Sequence, residues 1–232
     1  MFLRRVLVPF FLPFLLLTTL LPAYAQEALW NELNAKVFTL YQQGRYSEAA
    51  KVAKEAVKVA ENTFGPNHPA VATSLNNLAS SYRAQRQYAK AEPLYKRAQA
   101  IMEKAGGAEH PAVAMSLNNL AEIYRVQGRY AEAEPLYKRA LAIEEKALAA
   151  DDPIVATLLN NLAELYTAQG RYVEAEPLYK RALAIMEKTR GPYHRNVATV
   201  LENMAKLYKK TGRNEEAKRL EERAQEIRSR AR

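Results

Sequence analysis

Apolar residues recur at helical spacing along most of the chain. In a representative stretch, Leu117, Leu120, Ala121 and Tyr124 stand at positions i, i+3, i+4 and i+7, which places them on one face of an α-helix. A Gly-containing break at residues 127–129 follows. The same spacing then resumes in Ala133, Leu136, Tyr137, Ala140 and Leu141. The pattern predicts a hairpin of two amphipathic helices, here named helix A and helix B.

This hairpin recurs with a period of 42 residues. The sequence marks the start of helix A four times, at His68-Pro69, His110-Pro111, Asp152-Pro153 and His194-Arg195. A period of this size is typical of stacked supersecondary units, because each hairpin leaves an apolar face that only the next hairpin can cover. We therefore predict an all-α solenoid of stacked antiparallel helix hairpins over residues 26–232, forming one domain. Its five units are 26–67, 68–109, 110–151, 152–193 and 194–232, the last with a polar capping helix.

The first 25 residues have the features of a cleavable export signal. Arg4 and Arg5 precede the largely apolar run Val6–Leu21, and Ala23-Tyr24-Ala25 is an A-x-A cleavage site. An uncleaved anchor helix is the alternative, but the apolar run is shorter than the roughly 20 residues that a membrane span needs. We expect cleavage after Ala25, a periplasmic or secreted protein, and no membrane span in the mature chain.

Composition limits the partners and the kinds of site that this chain can have. The chain carries 34 Lys and Arg against 25 Asp and Glu, a formal charge of +9, which favours acidic partners or surfaces. There is no cysteine, so disulfides and thiolate ligands are excluded. The three histidines fall at predicted helix starts on different units, where a role in the turn is expected rather than a metal site. With no phosphate loop or nucleophile motif either, the sequence predicts no enzyme, no cofactor and no metal.

The residues Leu120-Ala121-Glu122-Ile123-Tyr124, followed by Ala133, Tyr137 and Ala140, resemble the tetratricopeptide repeat signature. The run Tyr130–Leu141 looks like the kinesin-light-chain subclass of that family. The resemblance implies a right-handed superhelix whose concave groove, lined by the A helices, binds a peptide or protein. It does not imply cargo transport, since an export signal would place this chain in another compartment.

The stripe of helix A opposite the core is expected to face this groove. It carries paired asparagines and several basic residues: Asn76, Asn77, Arg83, Asn118, Asn119, Arg125, Asn160, Asn161 and Asn203. A carboxamide offers both donors and an acceptor, which suits the backbone of an extended peptide. The arginines favour an acidic segment. One asparagine of each pair could instead tie helix A to the neighbouring unit, and the sequence leaves this alternative open.

Two functions follow from these features. The first is an exported adaptor that binds a peptide segment of a partner protein in its groove. The alternative is a basic surface that binds an acidic cell-envelope polymer or anionic lipid headgroups, in which case binding should fall steeply with salt. Nucleic acid is not an expected partner, and self-association through the hairpin faces stays open.

Overall fold

The computed structural model describes the backbone of residues 14–230 and the side chains of residues 24–230. Arg4, Arg5 and the start of the apolar run in the predicted signal lie outside the described residues. Within residues 14–230 the chain forms ten α-helices and no β-strand. These are α1 Phe14–Gln42, α2 Tyr46–Phe64, α3 Pro69–Ala84, α4 Tyr88–Gly106, α5 Pro111–Val126, α6 Tyr130–Ala147, α7 Pro153–Ala168, α8 Tyr172–Arg190, α9 Arg195–Lys210 and α10 Asn214–Arg230.

The ten helices pair into five hairpins that stack in chain order. The odd-numbered helices are the A helices and the even-numbered ones are the B helices. Each A helix contacts its own B helix, and the backbones of successive A helices also approach each other. Successive B helices lie farther apart and are joined by one ion pair each: Arg97–Glu61, Arg139–Glu103, Arg181–Glu145 and Arg223–Glu187. Because the A helices lie closer together, they line the inner, concave side of the array. The predicted all-helical solenoid is confirmed.

Polar side chains begin four of the A helices. His68, His110 and His194 each accept a hydrogen bond through Nδ1 from the backbone N–H two residues ahead, at 3.1 to 3.2 Å. Asp152 does the same through Oδ1, at 2.7 Å from the Ile154 nitrogen. Each bond satisfies one of the free N–H groups of a first helical turn. The role of these residues at the turns is therefore confirmed.

Alanine and tyrosine at fixed offsets fill the core of every hairpin. Ala121 on α5 and Ala133 on α6 are both fully buried, as are their equivalents in the neighbouring repeats. Small side chains at these positions let the two helices of a hairpin approach closely. Tyr95, Tyr137 and Tyr179, one on each of α4, α6 and α8, are the largest fully buried side chains. They are packing residues, as their spacing predicts.

The same arrangement of three polar side chains joins three of the four pairs of adjacent repeats. Tyr124 and Arg129 both donate to Glu92 of the preceding repeat, each at 3.0 Å, and the Arg129 guanidinium lies 4.0 Å from the centre of the Tyr124 ring. We call this arrangement the Tyr–Arg–Glu clamp. It recurs as Tyr166, Arg171 and Glu134, and as Tyr208, Arg213 and Glu176.

The first junction is built differently. Ala50 stands where the clamp needs glutamate, and Gln87 stands where it needs arginine. Without the longer side chain, α2 and α3 approach each other over much more of their length than α4 and α5 do. Close apolar packing thus replaces the clamp at this junction.

Helix α1 runs without a break through the predicted cleavage site at Ala25 and ends at Gln42. Trp30 joins it to the second repeat, donating through Nε1 to the Ser74 hydroxyl at 2.8 Å. Across the described part of the chain, no helix combines the length and the apolar character needed to cross a bilayer.

The clamp makes a pH-dependent contribution to stability. A hydrogen bond from Lys180 lowers the pKa of Glu176 to about 2, aided by Arg213 and Tyr208 and opposed by partial burial. Because this pKa lies below that of the unfolded chain, the contribution is complete above about pH 4.3 and is lost as the pH falls towards 2. We expect Glu176→Gln to cost about 1 kcal/mol of unfolding free energy at pH 7, and clearly less near pH 2, where the carboxylate is partly protonated.

Urea denaturation at the two pH values measures this difference. Glu222→Gln is the control, since Glu222 has only a 4.0 Å contact with Lys218 and should be neutral at both. A cost of Glu176→Gln that stayed the same at pH 2 would contradict the assignment.

Candidate functional site

Asparagines link successive A helices along the concave face. The second asparagine of one repeat donates through Nδ2 to the first asparagine of the repeat before it. Asn77 donates to Asn34 at 2.8 Å, and Asn161 donates to Asn118 at 2.9 Å. Asn203 donates to Asn160 at 3.2 Å. These side chains therefore hold the A helices in register, by side-chain bonds rather than bonds to backbone.

One position breaks this row. Ser116 donates at 3.1 Å to the Asn76 Oδ1 atom, which is the acceptor that Asn119 would have if the row continued. Asn119 makes no side-chain hydrogen bond to the described residues, and it is only partly buried. The Nδ2 atom of Asn76 is buried beside it without a partner. Of the predicted site asparagines, Asn119 is the one whose carboxamide remains wholly available.

The asparagines of the row differ in how deeply they are buried. Asn76, Asn160 and Asn203 are buried, whereas Asn77, Asn118, Asn119 and Asn161 keep part of their surface in the groove. Each inter-repeat bond uses only one hydrogen of the donating amide, so Asn77 and Asn161 keep a second N–H. The buried three serve mainly as links between helices, because little of their surface reaches solvent.

The predicted arginines occupy unequal surroundings. Arg125 forms a fork to Glu122, with two bonds of 2.7 and 2.8 Å, and lies 3.5 Å from Glu164 on the next A helix. Burial raises the pKa of Glu164, while the charge of Arg125 opposes that rise. The charge of Arg125 is thus balanced within the groove. Arg83 keeps a buried Nε atom with no hydrogen bond to the described chain.

The two ends of the groove have different chemistry. At the start, Phe38 is exposed beside Tyr41, and together with Asn77 they line a cavity of about 240 Å³. At the far end, Lys206 and Lys210 are exposed. The groove therefore runs from an aromatic end, through a balanced ionic centre, to a basic end.

Two further cavities open between successive A helices. The larger, about 340 Å³, lies between α5 and α7 over the end of α6. The smaller, about 180 Å³, is its equivalent one repeat later, between α7 and α9, and it includes Asn160 and Asn161 in its lining. In the described part of the chain, no cluster of three or more His, Cys, Asp or Glu side chains could hold a metal ion.

Comparison with known protein families gives a single result. The model described as "Tetratricopeptide repeat" matches residues 27–104, 72–146 and 154–230, which together are most of the chain. The chain belongs to the tetratricopeptide repeat family. No curated protein sequence is significantly similar to it.

Solved structures place this tetratricopeptide repeat protein near the kinesin light chains. A kinesin-light-chain protein of Podosopora anserina with nearly identical TPR-like repeats is 28% identical, with a TM-score of 0.68, covering 87% of this chain and 96% of that one. BtubC (BKLC) from P. vanneervenii is 25% identical, with a TM-score of 0.75 and coverage of 89% and 82%. A Rap protein complexed with Competence and Sporulation Factor shares the fold at 17% identity, with a TM-score of 0.76 and coverage of 87% and 54%.

Sequence reasoning missed two cavity residues of this tetratricopeptide repeat protein, Glu144 on α6 and Ile154 on α7. Met115, Glu144 and Ile154 line the larger cavity, and Phe38 lines the first. Each departs from its counterparts 42 residues away: Met115 stands where the neighbouring repeats have threonine, and Glu144 where they have methionine. Comparing the repeats for their differences, rather than for their agreement, would have revealed Glu144 and Ile154.

Proposed function

We propose that this tetratricopeptide repeat protein is an exported adaptor that holds an extended peptide segment of a partner protein against its A helices. The observation that carries the proposal is the row of partly exposed carboxamides, with the unpaired side chain of Asn119 at its centre. The family supports it, because tetratricopeptide repeats generally serve as scaffolds for protein contacts.

The row suits a peptide backbone for a geometric reason. An extended strand presents N–H and C=O groups at regular intervals, and each carboxamide can both donate and accept. Asn77, Asn119 and Asn161 occupy the same offset on three successive A helices. They can therefore bind the backbone at three points, with little dependence on the sequence of the segment.

The charges along the groove indicate where acidic residues of the bound segment would lie. Because Arg125 is already balanced by Glu122 and Glu164, an acidic residue gains little at the centre of the groove. The exposed Lys206 and Lys210 lie at the far end. We therefore place any acidic residues of the segment there.

A catalytic role is not part of the proposal. The strongly shifted carboxyl pKa values of the described residues belong to the clamps, where Glu134 and Glu176 are paired with Arg and Tyr. Such paired groups are structural, since their proton-binding capacity is already committed to neighbouring side chains.

The groove can be tested with a displayed library of random peptides, selected on the immobilised chain. Affinities of recovered peptides are then measured by fluorescence anisotropy. We expect Asn119→Ala to weaken binding about three- to tenfold, the value of one hydrogen bond. Folding should be unaffected, because Asn119 makes no side-chain bond to the described chain.

Val173→Ala is the matched control, since Val173 is 88% exposed on a B helix, away from the groove. It should leave every affinity unchanged. Two results would overturn the proposal: peptides that bind the Asn119→Ala variant as tightly as the original chain, or a selection that enriches no peptide.

Export is the second part of the proposal, and it rests on the sequence of residues 1–25. Expression of the full chain in a Gram-negative host should yield a periplasmic protein that begins at Gln26, as read by N-terminal sequencing. Ala23→Arg should block this cleavage, because the cleavage site needs small residues. A protein recovered from the cytoplasmic fraction with its first residues intact would contradict export.

The first junction favours a second candidate function. Lys51, Lys54 and Lys90 surround a cavity of about 200 Å³ beside Tyr82, and none of the three lies within 4.0 Å of a carboxylate in the described chain. A cluster of unpaired cations is suited to an acidic cell-envelope polymer or anionic lipid headgroups.

Sedimentation with phosphatidylglycerol vesicles, and a parallel titration with dextran sulfate, tests this candidate. Replacing Lys51, Lys54 and Lys90 with glutamine should reduce binding at least tenfold at low salt. The control replaces Lys146, Lys188 and Lys218, which removes the same charge from positions that have acidic partners. Equal losses in the two triple variants would show that net charge alone is responsible.

A further inference from the structure

The cavity between α5 and α7 differs chemically from its counterpart one repeat later. Its rim carries two apolar side chains, Met115 and Ile154, which are 49% and 51% exposed. The smaller cavity between α7 and α9 has Thr157 and Asn196 at the equivalent positions. Leu158 extends the apolar wall of the larger cavity. This opening is therefore the more apolar of the two.

The floor of the same cavity is more polar than its counterparts, because a glutamate replaces a methionine there. Glu144 is only 5% exposed, whereas the repeats on either side bury methionine at this position, as Met102 and Met186. The Oε2 atom of Glu144 has no hydrogen-bond partner, and no cation of the described chain forms an ion pair with this carboxylate. A buried, unpaired carboxyl is costly, so the site lacks a partner that the chain itself does not provide.

Neighbouring charges do not relieve this cost. Within the described residues, burial raises the pKa of Glu144, and the negative charge of Asp152 at the start of α7 raises it further. Asp152 also accepts from the Ile154 backbone N–H, which is therefore unavailable to Glu144. Glu144 lies in the last turn of α6, where the helix dipole favours a positive charge. Both effects favour a cation over this floor.

We propose that this cavity receives the side chain of an arginine or lysine from the bound peptide, with its methylene stem between Met115 and Ile154 and its cationic head on Glu144. The inference rests on the proposed groove function and adds one residue class to it. A basic side chain fits both surfaces of the cavity, since its stem is apolar and its head is a hydrogen-bond donor. An acidic or purely apolar side chain would leave the Glu144 carboxyl without a partner.

The test uses a matched pair of small probes. Butylguanidinium reproduces an arginine side chain, and butylurea has the same shape without the charge. Titration of each into the full chain is followed by NMR of the methionine and isoleucine methyl groups. We expect butylguanidinium to shift the Met115 and Ile154 methyl signals, with at least tenfold higher affinity than butylurea.

Two variants test whether the Glu144 carboxylate binds the cationic head of the probe. Glu144→Gln keeps the shape of the floor and should abolish the preference for butylguanidinium. Glu144→Met restores the residue of the neighbouring repeats, so it should raise Tm while abolishing binding of both probes at this site. Equal affinities of the two probes, or a preference that survives in Glu144→Gln, would overturn the proposal.

Selected peptides distinguish this inference from the groove function. If a recovered peptide contains an essential arginine, its replacement with citrulline should weaken binding to the original chain but not to Glu144→Gln. Peptides that depend on Asn119 yet show no preference for a basic residue would leave the groove function in place and overturn only the basic-residue site. Specific binding of butylguanidinium without any enriched peptide would support the basic-residue site and overturn the groove function.

Discussion

Burial of each hairpin against its neighbour is the constraint on which this structure depends. A single hairpin exposes an apolar face that it cannot cover itself, so stability requires the whole stack. Fully buried alanines such as Ala121 and Ala133 let the helices approach closely within each hairpin. Successive A helices lie closer together than successive B helices, and this difference curves the array. The groove is thus a geometric result of how the core is packed.

Under the proposed function, the asparagine row serves both packing and recognition. Asn161 ties its helix to Asn118, yet it keeps part of its surface in the groove. Replacing it would remove a link between repeats as well as a possible ligand contact. Asn119 separates the two roles, because it makes no side-chain bond to the described chain, and Ser116 bonds to the Asn76 acceptor instead. Under the proposed function, recognition in this groove depends on the position where the repeat departs from its own pattern.

Much of the fold could be predicted from the sequence, because its determinants are local or periodic. Helical spacing gives the helices, and the 42-residue period gives their stacking. The capping roles of His110 and Asp152 follow from their place before a helix. The candidate site was harder to predict from the sequence. Whether Arg125 is free or paired depends on Glu164 of the next repeat, and the larger cavity needs three helices to come together. Such relations cross repeat boundaries and have no local signal.

The structure contains two kinds of joint, and dissolved salt acts on them with opposite sign. Three junctions depend on Tyr–Arg–Glu clamps, whose ionic attraction is screened as ionic strength rises. The first has the Arg97–Glu61 ion pair but no clamp, and it depends mainly on close contact between α2 and α3, which strongly hydrated salts such as sulfate reinforce. In concentrated sulfate the stiffness of the array would shift towards its first hairpin, while the later hairpins would become more compliant. The flexibility of the groove would therefore depend on the ionic composition of its surroundings.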